Sequence, residues 1–217
     1  MNIKIDKTIK NILPDFSILA FKMDVNYNEE DALDELIVST EKKVFNKYTL
    51  KDVLQVPLIK EARDGYKKMG KDPSRYRLSC ESLLRRIVKG NSLYRINNLV
   101  DLGNILSIET NRSVAVLDYD KIIGDITIRM GTKDDEYYGI GRGLINVSNI
   151  PVYEDTVSPF GSTTSDTERT MITKHTKTIL LFLIYFKKAE YIEDGKLAIS
   201  MYEEYANGRN IESKYIT

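Results

Sequence analysis

A chain of 217 residues with 42% hydrophobic and 29% charged residues is sized and composed like one sizeable globular domain or two small ones, not like a disordered segment. Lys+Arg and Asp+Glu both number 32, so no global field draws the protein to nucleic acid or a membrane, and any RNA contact must rest on a local basic patch. One cysteine, Cys80, and one histidine, His175, exclude an internal disulfide framework and a Cys/His zinc site.

The start, MNIKIDKTIK, has no apolar core of signal-peptide length, and the longest apolar run, Ile179 to Phe186, is far below the roughly 18 residues that span a bilayer. The expectation is a soluble, cytoplasmic protein with no membrane partner. In chain order, Phe16 to Val25 predicts a strand between Pro14 and Asn26/Asn28. A long helix follows from Asn28 to about Tyr48, with Glu29, Glu30 and Asp31 in its first turn, where the helix dipole favours them. Leu33, Leu36, Ile37, Val44 and Phe45 form its apolar side. Pro57 starts another helix that ends at Gly70, and Asp72-Pro73 marks a turn. Ser79 is placed to cap a helix over Cys80 to Lys89, which Gly90 closes. Its apolar face is Leu83, Leu84, Ile87 and Val88, with Arg85 and Arg86 at the margins. A helix over Asn97 to Glu109 is interrupted by Asn97, Asn98, Asp101 and Asn104, and buried amides and carboxylates must be paired. Ile126, Ile128 and Met130 alternate with polar residues, the period of a half-buried strand. Short strands are expected at Ile140 to Gly143, Leu144 to Val147 and Ile150 to Glu154, then a loop from Val157 to Thr167. Ile179 to Phe186 reads as a buried strand with a helix as rival, and Asp194 to Ala206 as a closing helix. No repeat or long linker divides the chain. The fold class is α+β in a single domain over 1–217, helical in its first half and middle, with sandwich-like sheets in a β-rich C-terminal half.

Candidate chemistry is scattered. Gly139, Gly141 and Gly143 lack the spacing and the following helix of a dinucleotide fingerprint and read as a turn or bulge. His175, beside Lys174 and Lys177 and without a carboxylate motif, reads as exposed rather than as a general base. Ser39 and Lys42 match a Ser-x-x-Lys spacing, but on a charged helix face. Cys80 would be acidified at an exposed helix start; burial is the reading favoured by the habits of free cysteine. Arg63, Arg75, Arg77, Arg85 and Arg86 crowd together, Lys67, Lys68, Lys71 and Lys89 add to them, and Tyr66, Tyr76 and Tyr94 are interleaved. Such a patch suits a phosphate backbone and a stacked base, and equally a solvated helix face with internal ion pairs. Gly161 to Thr170 holds many hydroxyls, one guanidinium and Asp166. Turn preferences favour a solvent loop; as a site, it offers donors to an oxyanion and a carboxylate for an ammonium or a water.

Three long motifs, KDPSRYRLSCESLLRRIVKG, INNLVDLGNILSI and VAVLDYDKIIGDITIRM, continue into PVYEDTVSPFGSTTSDTERTMITKHT. Together they resemble the tRNA-editing module of the phenylalanyl-tRNA synthetase beta subunit (the B three/B four unit), and more closely free-standing proteins built from that module alone. The resemblance covers roughly residues 57 to 188. It implies hydrolysis of a wrongly attached amino acid from the terminal adenosine of tRNA, without metal or organic cofactor. Asn104, Asp166 and Thr170 would then serve catalysis, while Arg169, Thr173, Gly161, Ser162 and Thr163 shape the amino-acid pocket. Arg75, Arg77, Arg85 and Arg86 would meet the acceptor end. Two positions depart from the synthetase pattern: Ala115 stands where an ungapped count places a His, and the pocket Glu falls near Thr173 or Lys174. The alternatives are a non-catalytic module that binds tRNA or an amino acid, and an unrelated chemistry on the same fold. Whether Asn104 and the hydroxyl-rich loop face one cleft discriminates among them.

Overall fold

The computed structural model describes residues 1–29 and 33–217. Strand β1 (Ile3–Ile5) and the one-turn helix α1 (Lys7–Lys10) come first, and Asp6 caps α1 by accepting from the Thr8 amide at 2.8 Å. Strand β2 (Ser17–Asp24) leads to five helices, α2 (Asp34–Lys47), α3 (Leu50–Val53), α4 (Pro57–Lys68), α5 (Ser79–Val88) and α6 (Asn98–Thr110). Strands β3 (Val114–Asp118) and β4 (Ile126–Met130), the hairpin pair β5 (Tyr138–Gly139) and β6 (Gly143–Leu144), and strands β7 (Pro151–Glu154) and β8 (Pro159–Ser162) follow. The chain closes with β9 (Thr178–Tyr185), α7 (Ile192–Ala206) and β10 (Arg209–Ile216).

The strands form two four-stranded sheets, ordered β10-β2-β9-β3 and β1-β4-β7-β8, plus the small β5-β6 hairpin. β9 lies between β2 and β3 and is buried on both faces, which is why its sequence runs TILLFLIY without alternation. Directly paired residues of an antiparallel ladder share a face. Leu19, Leu183 and Val114 therefore stand together, as do Phe21, Leu181 and Val116. Both sets face the helices. A Cβ on Gly103 of α6 would sit 2.3 Å from Val116 Cγ2, and one on Gly195 of α7 would sit 3.3 Å from Leu19 Cδ2. The opposite face carries Ala20, Phe182 and Ala115. There Phe182 meets Tyr153 of β7 edge to face, with ring centroids 5.1 Å apart. The result is three layers: helices, the central sheet, and the second sheet behind it.

Several expectations need correcting. Helix α2 begins at Asp34, not Asn28, with Asp34 and Glu35 in its first turn; the expected first-turn residues Glu30 and Asp31 lie outside the described residues. Phe45, expected on its apolar side, is 57% exposed. Residues 140–142 form the turn of the β5-β6 hairpin rather than a strand, and Gly141 has a φ of 64° and Gly143 of 67°, a left-handed conformation that glycine adopts at no steric cost. The expected loop from Val157 contains β8. β10 escaped prediction because this edge strand is mostly exposed and carries no apolar alternation.

Candidate functional site

On the helix side of the central sheet lies a cleft of ≈ 630 Å³. Helix α5 forms one wall. It buries Cys80, Leu84 and Ile87, and turns Ser79, Ser82, Leu83 and Arg86 to the cleft, the i, i+3, i+4, i+7 set of one helical stripe. Helix α6 forms the next wall with Val100, Gly103 and Asn104, and β3 contributes Val114 and Val116. Thr164, Ser165 and Asp166 close the cleft from the other side, with Ile140 and Arg142 from the hairpin.

The awkward polar residues of α6 divide by role. Asn97 is the N-cap, accepting from the Val100 amide at 3.0 Å. Asn98 accepts from the Asn28 amide at 2.7 Å and donates to the Asn26 carbonyl at 2.9 Å, tying α6 to the end of β2. Asp101 accepts the Ile96 amide with both oxygens at 3.2 Å, and burial pushes its carboxyl up to about 6. Asn104 alone is left over. Its side chain reaches the cleft and has no hydrogen-bond partner among the described residues.

The hydroxyl-rich loop is held from below. The Ser162 hydroxyl donates to the Ser165 carbonyl at 2.7 Å and accepts from the Ser165 amide at 3.1 Å. Tyr66 of α4, fully buried, shares its hydroxyl with Thr163 Oγ1 at 2.5 Å and Thr164 Oγ1 at 2.9 Å. Tyr137 donates to the Ser165 carbonyl. Asp166 is thereby set in the cleft wall with Oδ1 turned inward, 2.9 Å from where a Cβ on Gly161 would lie. That oxygen is buried and has no hydrogen-bond partner. Burial pushes the Asp166 carboxyl up to about 7, with the Ser162 backbone pulling weakly the other way.

Five cationic side chains, Arg77, Arg85, Arg86, Lys89 and Arg142, line the cleft, and Asp166 is the one carboxylate that does so among the described residues. Arg85 lies 3.9 Å from the buried Glu81, which also binds Arg63 at 2.8 Å. Arg86 is stacked on Tyr94, 3.8 Å from the ring centre, and donates to the Ser92 carbonyl at 2.5 Å. Local cationic charge thus gathers at one cleft of a chain whose formal net charge is zero.

Among the residues singled out from sequence, Asn104, Asp166, Arg77, Arg85 and Arg86 share this cleft, and Arg75 lines an adjoining groove. Gly161, Ser162 and Thr163 lie beneath it as supports. Arg169, Thr170 and Thr173 do not line it. Arg169 binds both oxygens of Asp155, at 2.9 and 3.1 Å, and the carbonyls of Lys121 and Ser158. Thr170 is fully buried, with its hydroxyl donating to the Phe160 carbonyl at 3.2 Å. The Thr173 hydroxyl accepts the His175 amide, and His175 is exposed on a separate surface with Val25 and Tyr27. Cys80 is buried and its thiol is pushed up to about 12 by burial. Lys89, part of the basic patch expected from sequence, also lines the cleft; Ser79, Ser82 and Arg142 were missed as site residues, although the helical stripe containing Ser79, Ser82 and Arg86 was readable.

Ala115 is turned away from the cleft, toward Phe182 and the second sheet. The β3 positions that reach the cleft are Val114 and Val116, so among the described residues no imidazole lines it. No group of side chains with metal-binding composition occurs among the described residues, and no helix is long and apolar enough to cross a membrane.

Comparison with known proteins places this geometry. A family model described as the B3/4 domain matches residues 61–206. The phenylalanine–tRNA ligase beta subunit of Fusobacterium nucleatum subsp. nucleatum is 28% identical over 133 residues, which cover 59% of this chain and 16% of that protein. An N-terminal fragment of the phenylalanyl-tRNA synthetase beta subunit from Pyrococcus horikoshii has a TM-score of 0.52 at 13% identity, over 100% of this chain and 51% of the fragment. That likeness concerns the fold alone, and this chain spans only 16% of the curated relative's length. With the family model matching well over half of its residues, the chain belongs to the B3/4 domain family.

Proposed function

We propose that the protein is a trans-acting aminoacyl-tRNA deacylase, which hydrolyses the ester between a mischarged amino acid and the terminal adenosine of tRNA. One observation carries the reading: Asn104 and the Thr164-Ser165-Asp166 turn face a single cleft whose margin is cationic. In this reading the aminoacyl group enters between α6 and the turn, its side chain against Val100, Val114 and Val116. The Asn104 amide, unpaired in the protein, donates to the ester carbonyl and stabilises the oxyanion that forms there. Such a donor contributes most when it is already oriented and shielded from bulk water.

Asp166 holds the attacking water and takes its proton as the water adds to the carbonyl carbon. A carboxyl titrating near neutrality serves this better than one at 3.8, because general-base efficiency rises with pKa so long as the base remains substantially ionised. The tetrahedral intermediate then collapses with expulsion of the ribose oxygen, which takes a proton from Asp166. Products are the free amino acid and uncharged tRNA. An activated ester needs only this positioning and charge stabilisation. Thr170 and Arg169 act from behind, fixing the Phe160 and Asp155 segments on which the turn rests.

The test is a panel of mischarged tRNAs incubated with protein and with buffer. Release of amino acid from at least one of them, lost in Asn104→Ala and Asp166→Asn, is the expected result. Decay of the whole panel at the buffer rate removes the hydrolase reading. A second reading, a module that binds the tRNA end without turnover, is favoured by the valines at both cleft-facing positions of β3. Calorimetry showing saturable binding with no release in the panel supports it.

A further inference from the structure

We infer that the open edge of β10 docks a second copy of this chain, in a two-fold dimer that continues the central sheet from one subunit into the other. β10 ends the order β10-β2-β9-β3, and among the described residues no backbone hydrogen bond reaches it on the side away from β2. Its outward N–H and C=O groups are a template for another strand. Natural edges are often closed by a proline or a bulge along the pairing run. In β10 the bulge stands at one end, at Asn210 with a φ of 51°, and Glu212 to Ile216 then pair with β2 in unbroken register. Tyr215 is fixed on the helix side of this edge, stacked on Tyr191 with ring centres 3.9 Å apart and hydrogen-bonded to the Ser17 hydroxyl at 2.7 Å.

The sequence of β10 complements itself. A two-fold axis normal to the sheet sets the copies antiparallel and pairs side chains of the same face, so one residue of β10 must stand opposite its own counterpart. With Ser213 in that place, Glu212 stands opposite the partner's Lys214 and Lys214 opposite the partner's Glu212, on the face away from the helices. Ile211 then meets the partner's Tyr215 on the helix side, a β-branched residue facing an aromatic one, and symmetry repeats each pair. A step in either direction sets Glu212 or Lys214 against its own counterpart, like charges directly opposed. The Glu212 side chain is 54% exposed and is oriented by Lys22 at 3.3 Å and by the terminal ammonium at 3.6 Å. Lys214 is exposed and has no ion pair or hydrogen bond with any described residue. An unrelated strand would find the same backbone groups but not this pairing of charges.

The cleft draws on β3, the strand at the opposite edge of the same sheet. Joined through β10, the two central sheets carry one cleft at each outer end, and both stay open. The dimer stands whether or not the cleft hydrolyses an ester. An interface of one strand and its flanks is small, so association is weak and depends on concentration.

The experiment is sedimentation velocity on the full chain from about 10 μM to about 1 mM, the range of weak association. Wild-type protein is expected to pass from monomer toward dimer across it. Lys214→Glu turns both cross-strand pairs into Glu against Glu, and Glu212→Lys turns both into Lys against Lys. Each should weaken the dimer on the order of tenfold or more. Mixed in equal amounts, the two variants should dimerise again, because every Lys then faces a Glu. Lys214 has no partner inside the subunit, so its replacement leaves the fold intact, which circular dichroism checks. Lys214→Glu alone decides if Glu212→Lys, which gives up its pair with Lys22, does not fold. Wild-type protein that stays monomeric through the whole range overturns the inference. So do single variants as dimeric as the wild type, or a mixture no more dimeric than its two components, since either result puts the contact elsewhere on the surface.

Discussion

Replacing Asp166 by Asn should stabilise the protein at alkaline pH while abolishing turnover. Burial raises the Asp166 carboxyl from 3.8 to about 7, so between those values the folded state holds a proton that the unfolded state has lost. Stability must therefore fall as pH rises through this window, by about 1.4 kcal/mol per pH unit. Over the whole interval the loss is at most about 4 kcal/mol, and less where water in the open cleft relieves the ionised carboxylate. Below pH 3.8 the carboxyl is neutral in both states and contributes nothing to the difference. Above pH 7 the loss is complete and constant. Asn keeps the shape without the charge. Urea unfolding of wild type and Asp166→Asn at pH 4 and pH 8 isolates this group, because all other titrations cancel in the difference. A gain of roughly 2–4 kcal/mol at pH 8 that vanishes toward pH 4 is expected. An equal difference at both pH values refutes the argument from desolvation, and with it the basis for a general base poised near neutrality.

Gly103→Ala drives a Cβ to 2.3 Å from Val116 Cγ2 and should cost about 1–3 kcal/mol in chemical denaturation, with Val116→Ala restoring part of the loss in the double variant. Arg169→Ala leaves the Asp155 carboxylate without its bidentate partner; a loss of about 1.5–3 kcal/mol is expected. Loss of tRNA binding with stability intact would instead move Arg169 into the site. Asn97→Ala removes the α6 cap and should lower stability by about 1 kcal/mol, whereas Asn104→Ala, which breaks no bond inside the protein, should leave the melting temperature within a degree or two.

Much of this was legible because local rules and burial agreed. The unbroken apolar run of β9 and the proline that opens α4 each carry their own cause in the sequence, and the structure places an element at each; Asn97, expected inside its helix, is instead the N-cap of α6. The start of α2 was not legible, since Glu29 carries the same acidic first-turn signal as Asp34 and Glu35. β10 was hidden because an edge strand needs no apolar period. For the site, Asn104 was singled out by the family resemblance, and the structure is what shows that Asn97, Asn98 and Asp101 take backbone partners while Asn104 lines the cleft. Arg169 misled because a guanidinium in a hydroxyl-rich loop looks available until its buried partner, Asp155, is known. Pairing across positions far apart in sequence is the property that composition and spacing do not encode.

The alternation of β3 assigns neighbouring residues to separate duties. Val114 and Val116 border the cleft, while Ala115 answers to Phe182 and the sheet behind. A change at 115 is therefore a question of whether the layers still close. A change at 116 alters the cleft, within the room that Gly103 leaves. A strand so placed lets the lining of the cavity be altered at one alternate position without touching the joint between the sheets.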